Sequence, residues 1–242
     1  MKDIHSHLLY GIDDGSKSIE ESIPLLKELE KQGVTDLMLT PHYIENSKYN
    51  CNNEEKQIIF EELSKRAEEE NIHVKLYLGN EVFFNPNMIR LIERKEIQTL
   101  NNSKYILFEF PLNNIYHNTS EIINELVSQG YIPVLAHPER YEYFQRHPNA
   151  IEDYLRSGLL LQGNLTSLYG VYGKTAEKTL KYFIKNKWIS LLGSDTHHNV
   201  KFKGKKLEKK LLRITKDKEY TKKLLEENFD KVIQNIDLGM IR

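Results

Sequence analysis

Short apolar runs alternate with longer amphipathic segments along most of the chain. The short runs predict seven β-strands, at 2–7, 35–41, 73–81, 104–110, 131–137, 159–164 and 188–195. In the longer segments apolar residues recur three and four positions apart, which predicts helices at 18–32, 54–71, 86–97, 119–129, 148–157 and 174–187. After residue 200 the pattern is helical and basic. Regular alternation of strand and helix is typical of a parallel sheet covered by helices.

The number of strand–helix units bears on the architecture. Seven units suit a closed or nearly closed barrel better than an open sheet. The chain has 242 residues, and at about 150 residues per domain it has room for one full-sized domain or two small ones. Because neither a low-complexity linker nor a fixed-period repeat interrupts the pattern, we predict a single domain over 1–242, with a basic helical segment from about residue 201.

Composition excludes several classes of protein. Lys and Arg number 34 and Asp and Glu 35, so the net charge is −1 and a uniformly basic nucleic-acid-binding surface is excluded. A single cysteine, Cys51, excludes a disulfide framework and a cysteine-only zinc site. The N-terminal residues lack the pattern of a secretory signal, and no apolar run approaches the roughly 20 residues that span a bilayer. We therefore expect a cytoplasmic protein that neither crosses a membrane nor binds nucleic acid.

Histidine and acidic side chains collect at the C-terminal ends of the predicted strands. In a βα barrel these ends converge on one face, where the catalytic groups of such folds lie. Each residue alone has an ordinary structural explanation, but their coincidence at six of the seven strand ends predicts a metal centre. The nine candidate ligands are His5, His7, Asp14, His42, Glu81, Glu109, His137, Asp195 and His197.

Spacing and surroundings support metal binding. His5 and His7 are two residues apart, so on a strand both imidazoles point to one face. Glu109 lies in an apolar run, where a buried carboxylate is costly unless it is paired or bound to a metal. Imidazole and carboxylate ligands together suit zinc, iron or manganese rather than calcium. Nine candidates exceed what one ion takes, so we expect two or three ions, with a carboxylate such as Glu81 between them.

Arg140 adds a group that a bare metal site lacks. It stands three residues after His137, in the loop over the predicted metal centre. Its planar guanidinium is suited to gripping a phosphate. The alternative is a surface ion pair with Glu139 or Glu142. Asn164 ends the sixth strand with an amide, which suits either a hydrogen bond to substrate or water, or a cap on the following loop.

Other polar residues have structural alternatives as well. Asp14 suits a turn in the loop 11–15 as well as a metal site. From 201 to 223 there are eleven Lys and Arg residues against three acidic ones, which is typical of the solvated face of a helix. Because this segment follows the last predicted ligand, it is also placed to attract an acidic substrate. The remaining histidines are expected at the surface or in loops: His73, His117, His147 and His198.

These motifs resemble those of the PHP (polymerase and histidinol phosphatase) superfamily of metal-dependent phosphoesterases. The likeness is stronger to one branch, the bacterial CpsB/CapC (YwqE-type) manganese-dependent protein tyrosine phosphatases of capsule and exopolysaccharide clusters. It spans about residues 1–200 and fades in the tail. The segments that carry it, in order, are Asp3–His7, Gly11–Gly15, Glu20–Ser22, Thr40–His42, Gly79–Glu81, Phe108–Phe110, Ala136–Arg140 and Gly193–His197.

The resemblance implies a distorted (β/α)₇ barrel of the PHP type, with a trinuclear metal centre at the C-terminal ends of the strands. Mn²⁺ is the implied metal, and iron and zinc are alternatives. Carried over residue by residue, the first ion takes His5, His7, Glu81 and Asp195. The second takes Glu81, Glu109 and His137, and the third Asp14, His42 and His197.

The implied activity is hydrolysis of phosphotyrosine, with Arg140, Asp14 and His42 as catalytic residues and Arg140 in contact with the phosphate. The implied partner is the phosphotyrosyl tail of a membrane-associated tyrosine autokinase that governs capsule or exopolysaccharide synthesis. A cysteine-based phosphatase mechanism is excluded, because it needs Arg six residues after the cysteine, where Cys51 is followed by Gln57.

Two alternatives stay open. One is a PHP phosphoesterase acting on a small phosphomonoester such as histidinol phosphate, and the other is a non-catalytic module that binds the kinase tail. The complete ligand set argues against the second. The chain also departs from the family, because members often carry an arginine shortly after the last ligand histidine, where this sequence has Lys201 and Lys203.

Overall fold

The computed structural model describes residues 1–116 and 118–239. Its strands are β1 Lys2–Asp3, β2 Asp36–Leu39, β3 His42–Tyr43, β4 Lys75–Leu78, β5 Glu81–Phe83, β6 Tyr105–Glu109, β7 Ile132–Ala136, β8 Leu160–Asn164 and β9 Ile189–Gly193. Its α-helices are α1 Ile19–Lys31, α2 Asn53–Glu69, α3 Met88–Glu93, α4 Thr119–Ser128, α5 Glu142–Arg146, α6 Ile151–Arg156, α7 Gly173–Lys185, α8 Gly204–Thr215, α9 Lys218–Lys222 and α10 Asn228–Ile233.

All strand pairs are parallel and fall into two ladders, β1-β2-β4 and β3-β5-β6-β7-β8-β9. The ladders continue each other, because β2 and β3 flank the short break Thr40–Pro41, and β4 and β5 flank Gly79–Asn80. A proline lacks the N–H group that a ladder requires, which explains the first break. Each of the seven predicted strands contains one observed strand, whereas β3 lies just beyond the predicted 35–41 and β5 shares only Glu81 with the predicted 73–81.

The last strand returns beside the first. The N–H of Ile4 donates to the carbonyl of Leu192 at 3.3 Å, and that of Asp195 donates to the carbonyl of His5 at 2.9 Å. Ser6 and Thr196 form an isolated parallel bridge. The fold is thus the predicted distorted (β/α)₇ barrel, in which these few bonds, instead of a continuous ladder, join the first strand to the last.

Alternate residues of each strand face the barrel interior and the surrounding helices. In β6, Tyr105 and Leu107 belong to the inner apolar cluster, whereas Ile106 and Phe108 pack in the larger outer cluster. Glu109 continues the inner series and reaches the C-terminal end of the barrel. The same alternation in the neighbouring strands places their last polar side chains at that end.

The C-terminal helix α10 covers the opposite end of the barrel. Phe229 and Val232 are buried in the inner cluster. The hydroxyl of Tyr105, the first residue of β6, donates to the carbonyl of Ile236 at 2.7 Å. The tail after α8, where the family resemblance fades, therefore completes the core of the barrel.

The helix predictions are confirmed within two residues for four segments and need correction elsewhere. The predicted helix 86–97 is reduced to α3, and 148–157 begins as the 3₁₀ turn Pro148–Ala150 before α6. The short helix α5 and the 3₁₀ turn Leu165–Tyr169 were not predicted. In the part of the chain that the structure describes, no helix has the length and apolarity needed to cross a membrane.

Candidate metal centre

The nine predicted ligands all lie at the C-terminal end of the barrel, in one connected cluster. Glu81 is at its centre and is completely buried. Its Oε2 lies 3.3 Å from Nε2 of His5, 3.4 Å from Nε2 of His7 and 3.0 Å from Nδ1 of His42. Its Oε1 lies 2.9 Å from Nε2 of His137. One carboxylate thus contacts four imidazoles from three strand ends.

A second carboxylate, Asp195, faces the same imidazoles from the last strand. Its Oδ1 lies 3.4 Å from Nε2 of His7 and 3.7 Å from Nε2 of His5. The same oxygen is 3.5 Å from Nδ1 of His197. The two Nε2 atoms of His5 and His7 are 3.0 Å apart, as expected for residues two positions apart on one strand face.

The remaining carboxylates border the cluster on its open side. Glu109 lies 3.3 Å from Nδ1 of His42 and 3.7 Å from Nε2 of His137. Oδ1 of Asp14 is 3.5 Å from Nε2 of both His42 and His197. The Asp14 side chain is 54% exposed, so this side of the cluster faces solvent.

Three groups have ligand atoms close enough to hold a metal ion, with all atoms of a group within 4.8 Å of one another. Glu81 belongs to two of them, in keeping with a shared ligand. His137 and Asp195 contact the cluster without belonging to any of the three groups. The groups are His5/His7/Glu81, His42/Glu81/Glu109 and His7/Asp14/His42/His197.

The donor atoms of the cluster suit a metal ion. Among the described residues, the buried Oε2 of Glu81 and Nδ1 of His42 have no hydrogen-bond partner. A buried polar atom without a partner is costly, and a carboxylate oxygen beside imidazole nitrogens is a favourable environment for a divalent cation. Zinc, iron and manganese all match this donor set.

Burial and neighbouring charges separate the pKa values of the cluster. Burial raises the pKa of Glu109 to about 8, and the charge of Glu81 adds to the rise. Burial also acts to raise the pKa of Glu81, but the imidazoles of His5 and His42 outweigh it and lower that pKa well below its ordinary value. Burial, and then the charge of Arg140, lowers the pKa of His137 to about 4. A neutral His137 keeps its lone pair available to a metal.

Asp13, which was not predicted as a site residue, orients His7. Its Oδ2 lies 2.7 Å from Nδ1 of His7 and accepts from the N–H of His42 at 2.9 Å, while its Oδ1 accepts from the N–H of Gly15 at 2.9 Å. The turn role considered for Asp14 therefore belongs to Asp13. A carboxylate on the outer nitrogen of a histidine fixes the ring and directs Nε2 to the centre.

Gln162 plays the equivalent part for His5. Its Oε1 lies 2.8 Å from Nδ1 of His5, and its Nε2 donates to the carbonyl of Gly163 at 2.8 Å. The only sequence signal was a polar side chain in the middle of a predicted strand. Both histidines of the first strand are thus held from behind, with their Nε2 atoms directed at Glu81 and Asp195.

Arg140 lies over the cluster and does not form the surface ion pair considered as its alternative. Its NH1 donates to Oδ2 of Asp195 at 2.8 Å, and its guanidinium carbon lies 4.2 Å from the centre of the Tyr172 ring. Glu139 is buried and accepts instead from the N–H of Asn164 at 3.0 Å. Arg140 is therefore held in place by Asp195 and Tyr172 with part of its side chain exposed.

Asn164 combines a capping role with a contact in the site. Its Oδ1 accepts from the N–H of Thr166 at 3.0 Å, which caps the 3₁₀ turn Leu165–Tyr169. Its Nδ2 donates to Oδ2 of Asp195 at 2.8 Å. The capping prediction is confirmed, and the second contact orients Asp195.

Two of the predicted ligands have left-handed backbone conformations. His137 has φ of 38° and Asp195 has φ of 53°. Such conformations are uncommon for residues other than glycine and concentrate at functional sites. They turn the chain sharply just after β7 and β9, which aims both side chains into the cluster.

A cavity of about 210 Å³ adjoins the cluster. Asp195, His197, Tyr172 and Lys201 are among its lining residues. Of the two lysines noted after the last predicted ligand, Lys201 therefore borders the cluster. His73, His147 and His198 are exposed, as predicted, whereas His117 lies outside the described residues.

Comparison with known proteins gives a consistent result. The family model described as capsular polysaccharide synthesis, CpsB/CapC, matches residues 1–234. CapC of Staphylococcus aureus is 36% identical over 197 residues, which are 81% of this chain and 77% of the relative. Tyrosine-protein phosphatase YwqE of Bacillus subtilis is 29% identical over 238 residues, which are 97% of this chain and 92% of the relative.

A solved structure supports the same assignment. This structure is one of those of YwqE from Bacillus subtilis and CpsB from Streptococcus pneumoniae, which are described as unique metal-dependent tyrosine phosphatases. It superposes with a TM-score of 0.92 at 26% identity and covers 100% of this chain and 97% of its own. The similarity extends over the whole chain, beyond the 1–200 region in which sequence motifs are apparent.

Proposed function

The chain belongs to the CpsB/CapC family, and from this premise we propose that it is a metal-dependent protein tyrosine phosphatase that hydrolyses phosphotyrosine. The observation that carries the proposal is the convergence of imidazoles and carboxylates on the buried Glu81, with Arg140 above them. The assignment of all nine residues as metal ligands is part of the proposal.

The proposed centre holds two or three divalent ions, of which Mn²⁺ is expected. His5, His7, Glu81 and Asp195 would hold one ion, Glu81, Glu109 and His137 a second, and Asp14, His42 and His197 a third. Bound ions of this kind polarise phosphoryl oxygens and lower the pKa of a bound water to about 7. The contact of His42 with both Glu81 and Glu109 also makes it a candidate ligand of the second ion.

The protein's own groups bind and orient the phosphate. Arg140 presents a planar guanidinium whose N–H groups match phosphate oxygens, and its contacts with Asp195 and Tyr172 fix its direction. Lys201, across the cavity, would supply a second positive charge. Asp14 and His42 lie on the solvent side of the cluster, where they would transfer protons to or from water and substrate. The phenolate leaving group, with a pKa of about 10, needs little protonation.

The proposed natural substrate is the phosphotyrosyl tail of a membrane-associated tyrosine kinase that regulates capsule or exopolysaccharide synthesis. The phosphatase would act on this tail in the cytoplasm. Family membership supports this proposal. The cavity of about 210 Å³ beside the cluster, lined by Tyr172 and Lys201 among others, is consistent with a phosphoryl group entering from solvent.

The test is phosphate release from a phosphotyrosyl peptide by metal-stripped protein, with and without added Mn²⁺. Turnover should depend on the metal and should be lost in His42→Ala and Arg140→Ala. His147→Ala, which changes an exposed histidine away from the cluster, is the matched control. Absence of turnover despite tight metal binding would overturn the proposal, and a preference for histidinol phosphate would favour a small-molecule phosphoesterase.

A further inference from the structure

Positive charge is concentrated in one part of the chain. Residues 201–223 hold eleven Lys and Arg against three acidic residues, a net charge of +8, whereas the whole chain carries −1. The rest of the protein is therefore acidic, and this segment is the exception. Such segregation creates a local field that attracts polyanions.

The helix α8 displays these charges to solvent. Its apolar side chains Leu207 and Leu211 are buried in the core. The opposite surface of the helix carries four exposed cations, and Lys203 just before the helix is also exposed. We call these five residues the α8 strip: Lys203, Lys205, Lys206, Lys209 and Arg213. Among the described residues, none of the five forms an ion pair with an acidic side chain. Their charge is available to a partner.

The α8 strip begins at the rim of the candidate metal centre. Lys201 lines the cavity beside Asp195 and His197. The hydroxyl of Tyr169, at the end of the turn capped by Asn164, donates to the carbonyl of Lys203 at 3.0 Å. Lys210 lies over the Tyr169 ring, with its Nζ 4.3 Å from the ring centre. These contacts fix the first turns of α8 against the loop that also orients Asp195.

We propose that the α8 strip binds the anionic polypeptide on one side of the phosphotyrosine that is being hydrolysed. The inference rests on the proposed phosphatase function and adds the surface that holds the substrate chain beside the reacting residue, through further phosphotyrosines or acidic residues near it. Each phosphate brings about −1.5 to −2 charges at neutral pH. The twelve residues of α8 extend about 18 Å at about 1.5 Å per residue, which is the length of roughly five or six extended residues.

A peptide fits the α8 strip better than a lipid surface does. A helix that lies in a membrane inserts an apolar face beside its basic face. In α8 that apolar face is occupied, because Leu207 and Leu211 pack inside the protein. The exposed side chains of the helix, Lys205, Lys206, Glu208, Lys209 and Arg213, are all charged and mostly cationic, which suits phosphate and carboxylate groups in water.

The test compares a charge-reversed strip with a matched control. The strip variant carries Lys205→Glu, Lys206→Glu, Lys209→Glu and Arg213→Glu. The control carries the same change in net charge at exposed lysines elsewhere, Lys31→Glu, Lys65→Glu, Lys95→Glu and Lys185→Glu. Steady-state kinetics are measured with p-nitrophenyl phosphate and with a long peptide that contains several phosphotyrosines, and direct peptide binding is measured by fluorescence anisotropy.

The strip variant should lose about tenfold or more in kcat/KM for the multiply phosphorylated peptide at low salt, mainly through KM. Its kcat/KM for p-nitrophenyl phosphate should stay unchanged, and the control variant should resemble the wild type on both substrates. The difference between strip variant and wild type should shrink at high salt, because screening weakens exposed charges.

Other results would overturn the proposal. Equal losses on both substrates would mean damage to the site, and unchanged peptide kinetics and binding would mean that the strip is not used. Loss of binding to phosphatidylserine vesicles with unchanged peptide kinetics would identify a membrane as the partner instead. If the wild type hydrolyses neither substrate, the proposed phosphatase function fails, whereas the anisotropy measurement still decides whether the strip binds the peptide.

Discussion

The carboxylate of Asp13 lies 2.7 Å from Nδ1 of His7. With Asp13 engaging Nδ1, a neutral His7 would keep its proton on that nitrogen and would present an unprotonated Nε2 to Glu81 and Asp195, the form that a metal ion requires. Asp13 would therefore set the form in which His7 binds a metal ion, although Asp13 is not one of the proposed ligands.

Replacing this carboxylate should weaken metal binding. In Asp13→Asn we expect metal affinity to fall about 10- to 100-fold, the usual effect of removing the group behind a ligating histidine. The measurement is a Mn²⁺ titration of metal-stripped protein by calorimetry. Asp153→Asn, at an exposed ion pair with Arg156, is the control. Unchanged affinity in Asp13→Asn would show that His7 is oriented by other contacts or is not a ligand.

The central position of Glu81 leads to a prediction about stability. A bound ion stabilises the folded protein by about 2.7 kcal/mol at a free concentration about 100 times its Kd. We expect Mn²⁺ to raise the thermal midpoint of the wild type and to have almost no effect on Glu81→Gln, which removes a carboxylate shared by two metal groups. Glu61→Gln, on the exposed face of α2, should behave as the wild type. A full Mn²⁺ response in Glu81→Gln would contradict the proposed centre.

Arg140 should depend on its shape as well as its charge. Lysine keeps the charge but loses the planar fork and the stacking on Tyr172. We therefore expect Arg140→Lys to lower kcat/KM for a phosphotyrosyl peptide by about 10- to 100-fold, with metal affinity unchanged. Arg146→Lys, at an exposed pair with Glu142, serves as the control. If Arg140→Lys retains full activity, the guanidinium does not bind the phosphate through paired hydrogen bonds.

Lys56 gives the protein a pH-dependent stability. Its side chain is completely buried in α2, where its ammonium group donates to Oδ1 of Asn80, and burial lowers its pKa to about 7. In the unfolded chain it titrates near its ordinary value of 10.5. Between these values the unfolded chain holds a proton that the folded protein has released, so the free energy of unfolding rises with pH.

The contribution of Lys56 is isolated by comparison with Lys56→Met. The free energy of unfolding of the wild type minus that of the variant should rise from about pH 7 towards pH 10, by up to about 1.4 kcal/mol per pH unit. Urea unfolding at several pH values measures it. Lys65→Met, on the exposed face of the same helix, should show no such trend. A flat difference for Lys56→Met would mean that the buried amine keeps its proton through contacts such as that with Asn80.

The sequence predicted the residues of the site better than their contacts. Parallel strands place their C-terminal ends on one face, so a histidine or acid at a strand end is easily placed there. The partners of those residues come from distant segments, and no pattern reveals them. Gln162 meets His5 across 157 residues, and Arg140 meets Asp195 across 55.

The strand breaks show a second limit. The apolar run ending at Thr40–Pro41 continues as β3 after the break, and a similar break at Gly79–Asn80 precedes β5. The predicted strands end at residues 41 and 81, so the hydropathy pattern did not reveal that the chain re-enters a sheet after each break. The helix predicted at 86–97 is longer than the observed one. Its apolar positions have helical spacing throughout, but the helix ends at Glu93.

The helix α10, which covers the N-terminal end of the barrel, has a consequence for turnover. Substrate and product must use the same entrance, at the opposite end, where Asp14 is exposed. Inorganic phosphate released from the ester therefore leaves past the position that the next phosphotyrosine has to occupy. Free phosphate should accordingly act as a competitive inhibitor, and the next substrate can bind only after the phosphate has dissociated.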